Sequence, residues 1–226
     1  MDVQTRREVR LGLLSLFLSA LLWSIALFPR GPGDLADPGS CCRAEFSAGL
    51  QVAWIVLVVG DVLLLYGFFG LYRLLASRSE SVIPLVAFVV SLAAGAFFLA
   101  LSMFFAVSGP AIATLVTQGE AGAIAVVEAN FTSPVGLAWT ATRGLFWILG
   151  PVLFAVAMWR DGGLPRWTGP ALAVAFLLLI PVTYVTELLG AALFLVTAGV
   201  IAWSGWRASE SRTRGRAAAD RPPIDA

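Results

Sequence analysis

The tightest constraint in this sequence is a series of apolar runs, each close to the length that a helix needs to cross a bilayer. Crossing a hydrocarbon core takes about 20 mostly apolar residues, because a helix rises ~1.5 Å per residue. Residues 11–28, 50–72, 82–107 and 135–158 each meet this requirement. The last apolar run, 167–206, is too long for one crossing. Pro181 and the polar group Thr183, Tyr184, Thr186 and Glu187 divide it into 167–183 and 188–206. The expected fold is therefore all-α: a polytopic bundle of six transmembrane helices within residues 1–206, then a short basic tail, 207–226, that reads as disordered. Composition agrees. A soluble domain carries about 25% charged residues, whereas this chain carries 13% and is 59% hydrophobic. Its surface is built to face lipid, and the bilayer is its first partner.

Arginine placement sets the expected orientation. Arg6, Arg7 and Arg10 precede the first span, Arg73 and Arg78 follow the second, Arg160 and Arg166 follow the fourth, and the tail carries Arg207, Arg212, Arg214, Arg216 and Arg221. The connections on the other side hold only Arg30 and Arg43. Basic residues favour the cytoplasmic side, so both termini are expected inside. The first apolar run is longer than a signal-peptide core and ends in bulky Ile25, Leu27 and Phe28, so it reads as a retained anchor. All 15 basic residues are arginine, a codon bias of GC-rich bacterial genomes. The expected location is thus a bacterial cytoplasmic membrane.

The connections differ in character. The outer loop before residue 50 is rich in glycine, proline and aspartate and reads as irregular. Residues 110–134 are apolar but broken by Gln118, Glu120 and Glu128. They read as a helix lying at the outer interface, or re-entrant, and not as a further span. Trp23, Trp54, Trp139 and Tyr184 fall at the outer ends of spans, and Tyr72, Trp159, Trp167, Trp203 and Trp206 at the inner ends, as interfacial aromatic belts would. Pro151 and Pro181 are expected to kink the fourth and fifth helices and to free the carbonyls of Trp147 and Leu177. Small residues recur at a spacing of four as Ala87, Ser91 and Gly95, and as Gly136, Thr140 and Gly144. Such stripes let helices approach closely, within one chain or between two copies.

The usual chemistries of membrane enzymes lack their residues here. There is no histidine, so a rhomboid-like serine protease has no base. Gly60-Asp61 resembles half of an aspartyl intramembrane protease motif, but Val58 breaks the glycine pattern and no second aspartate lies within a span. Without lysine a phosphate-binding loop is incomplete. Cys41 and Cys42 are adjacent, too close for metal-ligand spacing. They read as loop residues without a role, or as reactive outer-face thiols able to form an intermolecular disulfide. No cofactor or metal is implied, and a net charge of +1 gives no reason to expect nucleic acid. Asp61 and Arg143 are the two charges that fall clearly inside spans, at similar expected depths. An intramembrane ion pair is the expectation. In the alternative, Asp61 is protonated or bonds to Ser/Thr neighbours, and Arg143 extends outward.

Residues 158–170 read MWRDGGLPRWTGP, and the second span ends in Leu65-Tyr66 and Tyr72-Arg73-Leu74-Leu75. These turns, with the order and length of the spans, resemble the bacterial membrane family of domain of unknown function 4386. That resemblance implies a six-helix inner-membrane protein without an assigned activity, and it carries over no functional residue. The leading functional expectation is a non-catalytic interaction or accessory protein, whose partner is a second copy or another membrane protein. One alternative is a small-solute transporter or membrane ligand-binding protein using Asp61 and Arg143. An atypical membrane-embedded enzyme is the other.

Overall fold

The computed structural model describes residues 3–27, 48–120, 122–123, 125, 129, 132–180 and 184–219, without the side chains of 48–50, 116–117 and 208–219. Cys41 and Cys42 lie outside the described residues. Among the described residues six long or medium α-helices follow one another: α1 Val3–Leu27, α2 Ala48–Ala76, α3 Ile83–Thr117, α4 Pro134–Asp161, α5 Thr168–Leu178 and α6 Tyr184–Ala219. All but α5 are long and apolar enough to cross a membrane. Along α2, Val52, Ile55, Val59, Val62 and Tyr66 form an exposed stripe at helical spacing. A water-facing helix would place charges there; an apolar stripe on the outside means lipid.

α1 packs on α2 and α6, α3 lies between α2 and α4, and α5 lies between α4 and α6, so the helices close into one ring. Phe68, Trp147, Phe154, Phe176 and Phe194 fill its interior. The lipid side is equally apolar, so close packing and not hydrophobicity holds the ring together. The closest approaches are at glycines. A Cβ on Gly12 would strike the Gly70 backbone, and one on Gly67 would strike Leu16. On α4 it is Gly150 that meets Ser91, while Gly144 of the expected stripe has no neighbour within 4 Å.

These contacts also fix helix direction. Gly12 faces Gly70 and Gly60 faces Trp23, so α1 and α2 are antiparallel. Arg10 sits over Trp206 while Ser24 bonds toward Ala191, so α6 is antiparallel to α1 as well. Arg78 pairs with Asp161 at 2.9 Å, both side chains nearly buried, and so ties the α2–α3 turn to the end of α4. The arginine-rich segments therefore gather at one end of the bundle, which also holds the start of α1 and the Trp203–Trp206 part of α6.

Three boundaries depart from expectation. α3 does not stop at 107 but continues through Pro110 to Thr117, absorbing the first part of the segment expected at the interface. The bond lost at Pro110 is offset by a small second core, in which Phe105 and Ile112 pack with Trp54 and Leu101. α3 ends where Gly119 takes a left-handed φ of 79° and Glu120 N–H reaches the Leu115 carbonyl, a helix stop that glycine adopts without strain. The described residues beyond it, 122–123, 125, 129 and 132, are helical.

The fifth helix is shorter than expected. α5 has 11 residues, about 16 Å of rise and half a membrane thickness. Its ending follows from Pro181, which has no N–H to give the Leu177 carbonyl; Ile180 N–H takes that carbonyl instead, at 3.3 Å. α4, by contrast, runs through Pro151 unbroken. The sixth helix carries its backbone through Ala219, into the tail that the sequence read as disordered.

Candidate functional site

Asp61 sits on α2 and is completely buried. Its neighbour Gly60 has no side chain, and the Trp23 ring occupies that space, 3.0 Å from where a Cβ would stand. The indole Nε1–H of Trp23 donates to Asp61 Oδ1 at 3.1 Å, and the Ser102 hydroxyl donates to Oδ2 at 2.7 Å. One carboxyl group thus ties α1, α2 and α3 together.

A column of rings continues from this tie. Trp23 stacks on Trp147 at 5.5 Å and touches Phe98 at 5.8 Å; Phe98 lies 3.9 Å from Trp147, which leans on Phe176 at 4.6 Å. Trp147 also donates its indole N–H to the Phe176 carbonyl at 2.9 Å. That carbonyl is among the last four of α5, which have no partner within the helix. The short α5 is therefore capped by a side chain of α4.

Arg143 also meets Phe98, its guanidinium carbon 5.0 Å from the ring centre. Phe98 thus touches both Arg143 and Trp23, but the expected ion pair does not form: the carboxyl oxygens of Asp61 are held by Trp23 and Ser102. Among the described residues, no hydrogen bond or ion pair reaches the Arg143 guanidinium, although the residue is only 9% exposed.

Arg143 borders a cleft of about 300 Å³ between α3 and α4, toward the arginine-poor end of the bundle. Side chains on a helix lean toward its N-terminus, so Arg143 leans from α4 toward the cleft mouth. Phe104 and Phe105 of α3 and Trp139 of α4 supply apolar walls, and Ser133 and Thr140 supply hydroxyls. Ser133 also caps α4 by accepting from Gly136 N–H at 3.1 Å, with Pro134 as the first helical residue, and so fixes the upper rim. Gly136 of the expected packing stripe lines the cleft and Thr140 is half-buried beside it.

Trp23 and Ser102 are partners of Asp61 that the sequence alone does not single out. The sequence places Trp23 in an interfacial belt, whereas it is 6% exposed inside the bundle. Ser102 lies within the expected span 82–107 but close to its outer end, which makes it look shallower than Asp61. Measured from the true ends, Ala48 and Thr117, Asp61 and Ser102 both lie about 20 Å down their helices, at ~1.5 Å per residue. That shared depth becomes visible only once α3 is seen to end at Thr117. No protein-family model, curated protein or solved structure matches this chain.

Proposed function

We propose that this chain is a six-crossing membrane protein with both termini in the cytoplasm, and that it acts by binding, not by catalysis. α5 belongs to a fifth crossing, because α4 ends and α6 begins at opposite ends of the bundle. The resemblance to the six-helix family of domain of unknown function 4386 fits this reading and adds no activity. The binding site is the α3–α4 cleft at Arg143, so the protein is an accessory or ligand-binding protein of the membrane.

One observation carries the reading. Arg143 is a buried cation at the cleft wall with no anion or acceptor among the described residues. A charge within a bilayer costs at least about 2.5–3.5 kcal/mol and marks function by default. A cleft of about 300 Å³ is at the lower end of ligand pockets, lined as they are by apolar walls with a few polar groups. A transporter built on an Asp61–Arg143 pair loses its support, since Asp61 is closed off by Trp23 and Ser102.

The test is thermal unfolding of the full-length protein in neutral detergent, titrated with a panel of small organic anions. A ligand that binds only the folded state raises the unfolding temperature with concentration. At least one anion should stabilise the wild type and not Arg143→Gln. If no anion distinguishes the two, the cleft is not a ligand site.

A further inference from the structure

We infer that the cleft takes an amphiphile bearing a single carboxylate, with the carboxylate on Arg143 and an apolar body of medium length against Phe104, Phe105 and Trp139. The inference rests on the cleft being a ligand site, and it specifies the ligand by charge, shape and depth.

Charge comes first. Among the described lining residues Arg143 is the sole cation. It balances one negative charge. A phosphate monoester, at about −1.5 to −2, would leave uncompensated charge in an apolar wall. Geometry narrows the choice further. A planar guanidinium presents a fork of N–H donors that matches a carboxylate in a two-bond contact. Here the fork already has one face against Phe98, which leaves its edge for an acceptor. Thr140 precedes Arg143 by about one helical turn, on the same face and toward the mouth, and its hydroxyl can donate to the same group.

Depth argues against a phospholipid headgroup. Arg143 lies about 13 Å below the start of α4 at ~1.5 Å per residue. A phosphodiester held there would bring its polar substituents down among the rings, with only the Ser133 and Thr140 side-chain hydroxyls to meet them. Polar groups buried without partners are costly. A carboxylate has no such substituents. The volume agrees: about 300 Å³ is at the lower end of ligand pockets, which suits a body of medium length.

The experiment uses full-length protein in nanodiscs of neutral lipid, with empty nanodiscs subtracted. Equilibrium binding is measured for radiolabelled decanoate, decanol and methyl decyl phosphate. Decanoate should bind saturably at one site. Arg143→Gln should weaken it by about tenfold to a hundredfold, the range expected for a lost charge-assisted bond, and Arg143→Lys should recover only part of the loss. Phe105→Trp, which narrows the cleft and keeps the cation, should also weaken decanoate. Arg10→Gln alters a separate groove, lined by Arg10, Leu14 and Phe17 of α1 and by Trp203 and Trp206 of α6, and should leave binding unchanged. Decanol should bind the wild type no better than it binds Arg143→Gln. If methyl decyl phosphate binds as tightly as decanoate and with the same dependence on Arg143, the carboxylate assignment is overturned while the ligand site stands. If no anion shows dependence on Arg143, both fall.

Discussion

The bundle contains two buried charges handled in opposite ways. Asp61 is enclosed where α1, α2 and α3 meet, with each carboxyl oxygen accepting a hydrogen bond. Arg143 lies between α3 and α4 beside open volume, with only a ring face as company among the described residues. A buried polar group whose acceptors are filled fixes one arrangement of its neighbours. A buried cation left without an acceptor keeps its binding capacity for something that arrives. The contrast separates a structural charge from a functional one by the state of their partners, when composition, depth and rarity treat them alike.

The largest expected effect tests the structural half. Asp61→Leu removes the acceptor of two buried donors, Trp23 Nε1–H and the Ser102 hydroxyl, and strands both. Each loss of a hydrogen bond to a charged group is worth roughly 1.5–3 kcal/mol, so the variant should lose about 3 kcal/mol or more. Denaturant unfolding in mixed micelles reads this directly. A loss below about 1 kcal/mol would mean that the tie is ornamental.

Next comes Gly60→Ala. The new Cβ would stand 3.0 Å from Trp23 Cδ1, so the indole must move away from Asp61 or the helices must part. Overpacking of this kind costs typically ~1–3 kcal/mol. The double variant Gly60→Ala with Trp23→Phe relieves the contact and sacrifices only the one bond. It should therefore lose less than the two single losses added. Strict additivity would place the Gly60 effect elsewhere.

Arg143→Gln should carry the opposite sign. Removing an intramembrane cation that has no acceptor among the described residues relieves its burial cost, and glutamine is far less expensive at that depth. We expect no loss and a gain of up to about 2 kcal/mol, read by the same unfolding assay without ligand. A loss of that size would show that the guanidinium holds the bundle together and would erase the contrast with Asp61.

What the sequence made legible follows physical lines. Apolar runs mark helices because the bilayer demands length and leaves no other way to satisfy the backbone, and the starts and ends of α2 and α4 lie within a few residues of those expected. Arginine clustering placed the same connections at one end that the packing of α1, α2, α4 and α6 gathers there. Helix ends were harder where a proline is involved. Pro110 is accommodated inside α3 because Ile112 beyond it finds a core contact, whereas α5 stops before Pro181. Nothing in a local window separates those two prolines. Asp61 and Arg143 stand out as rare charges, but their partners are set by rotation and tilt. Trp23 shows why: three or four residues from a span's end, a tryptophan can face the headgroups or the bundle interior, and only packing decides. The cleft was illegible for the same reason, since it is the space left between α3 and α4 and not a pattern in either.

The smallest expected effect is the coupling between the two charges, and it discriminates most sharply between an ion pair and two separate sites. In a direct pair, each single neutralisation strands the other charge, and the double variant recovers much of the loss. In the arrangement here Asp61 accepts from Trp23 and Ser102, Arg143 meets Phe98, and no bond joins them. Asp61→Asn should then destabilise modestly, since the amide oxygen still accepts one donor while its NH₂ group meets the other. Arg143→Gln should be neutral or stabilising, and the double variant should equal their sum within about 0.5 kcal/mol. Phe98 touches both Trp23 and Arg143, so a small residual coupling can pass through its ring. Repeating the cycle in a Phe98→Leu background should bring that residue to zero. A coupling above about 1 kcal/mol that survives in Phe98→Leu would require the two charges to meet in solution, and the separation of a structural carboxyl from a ligand-binding guanidinium would fail with it.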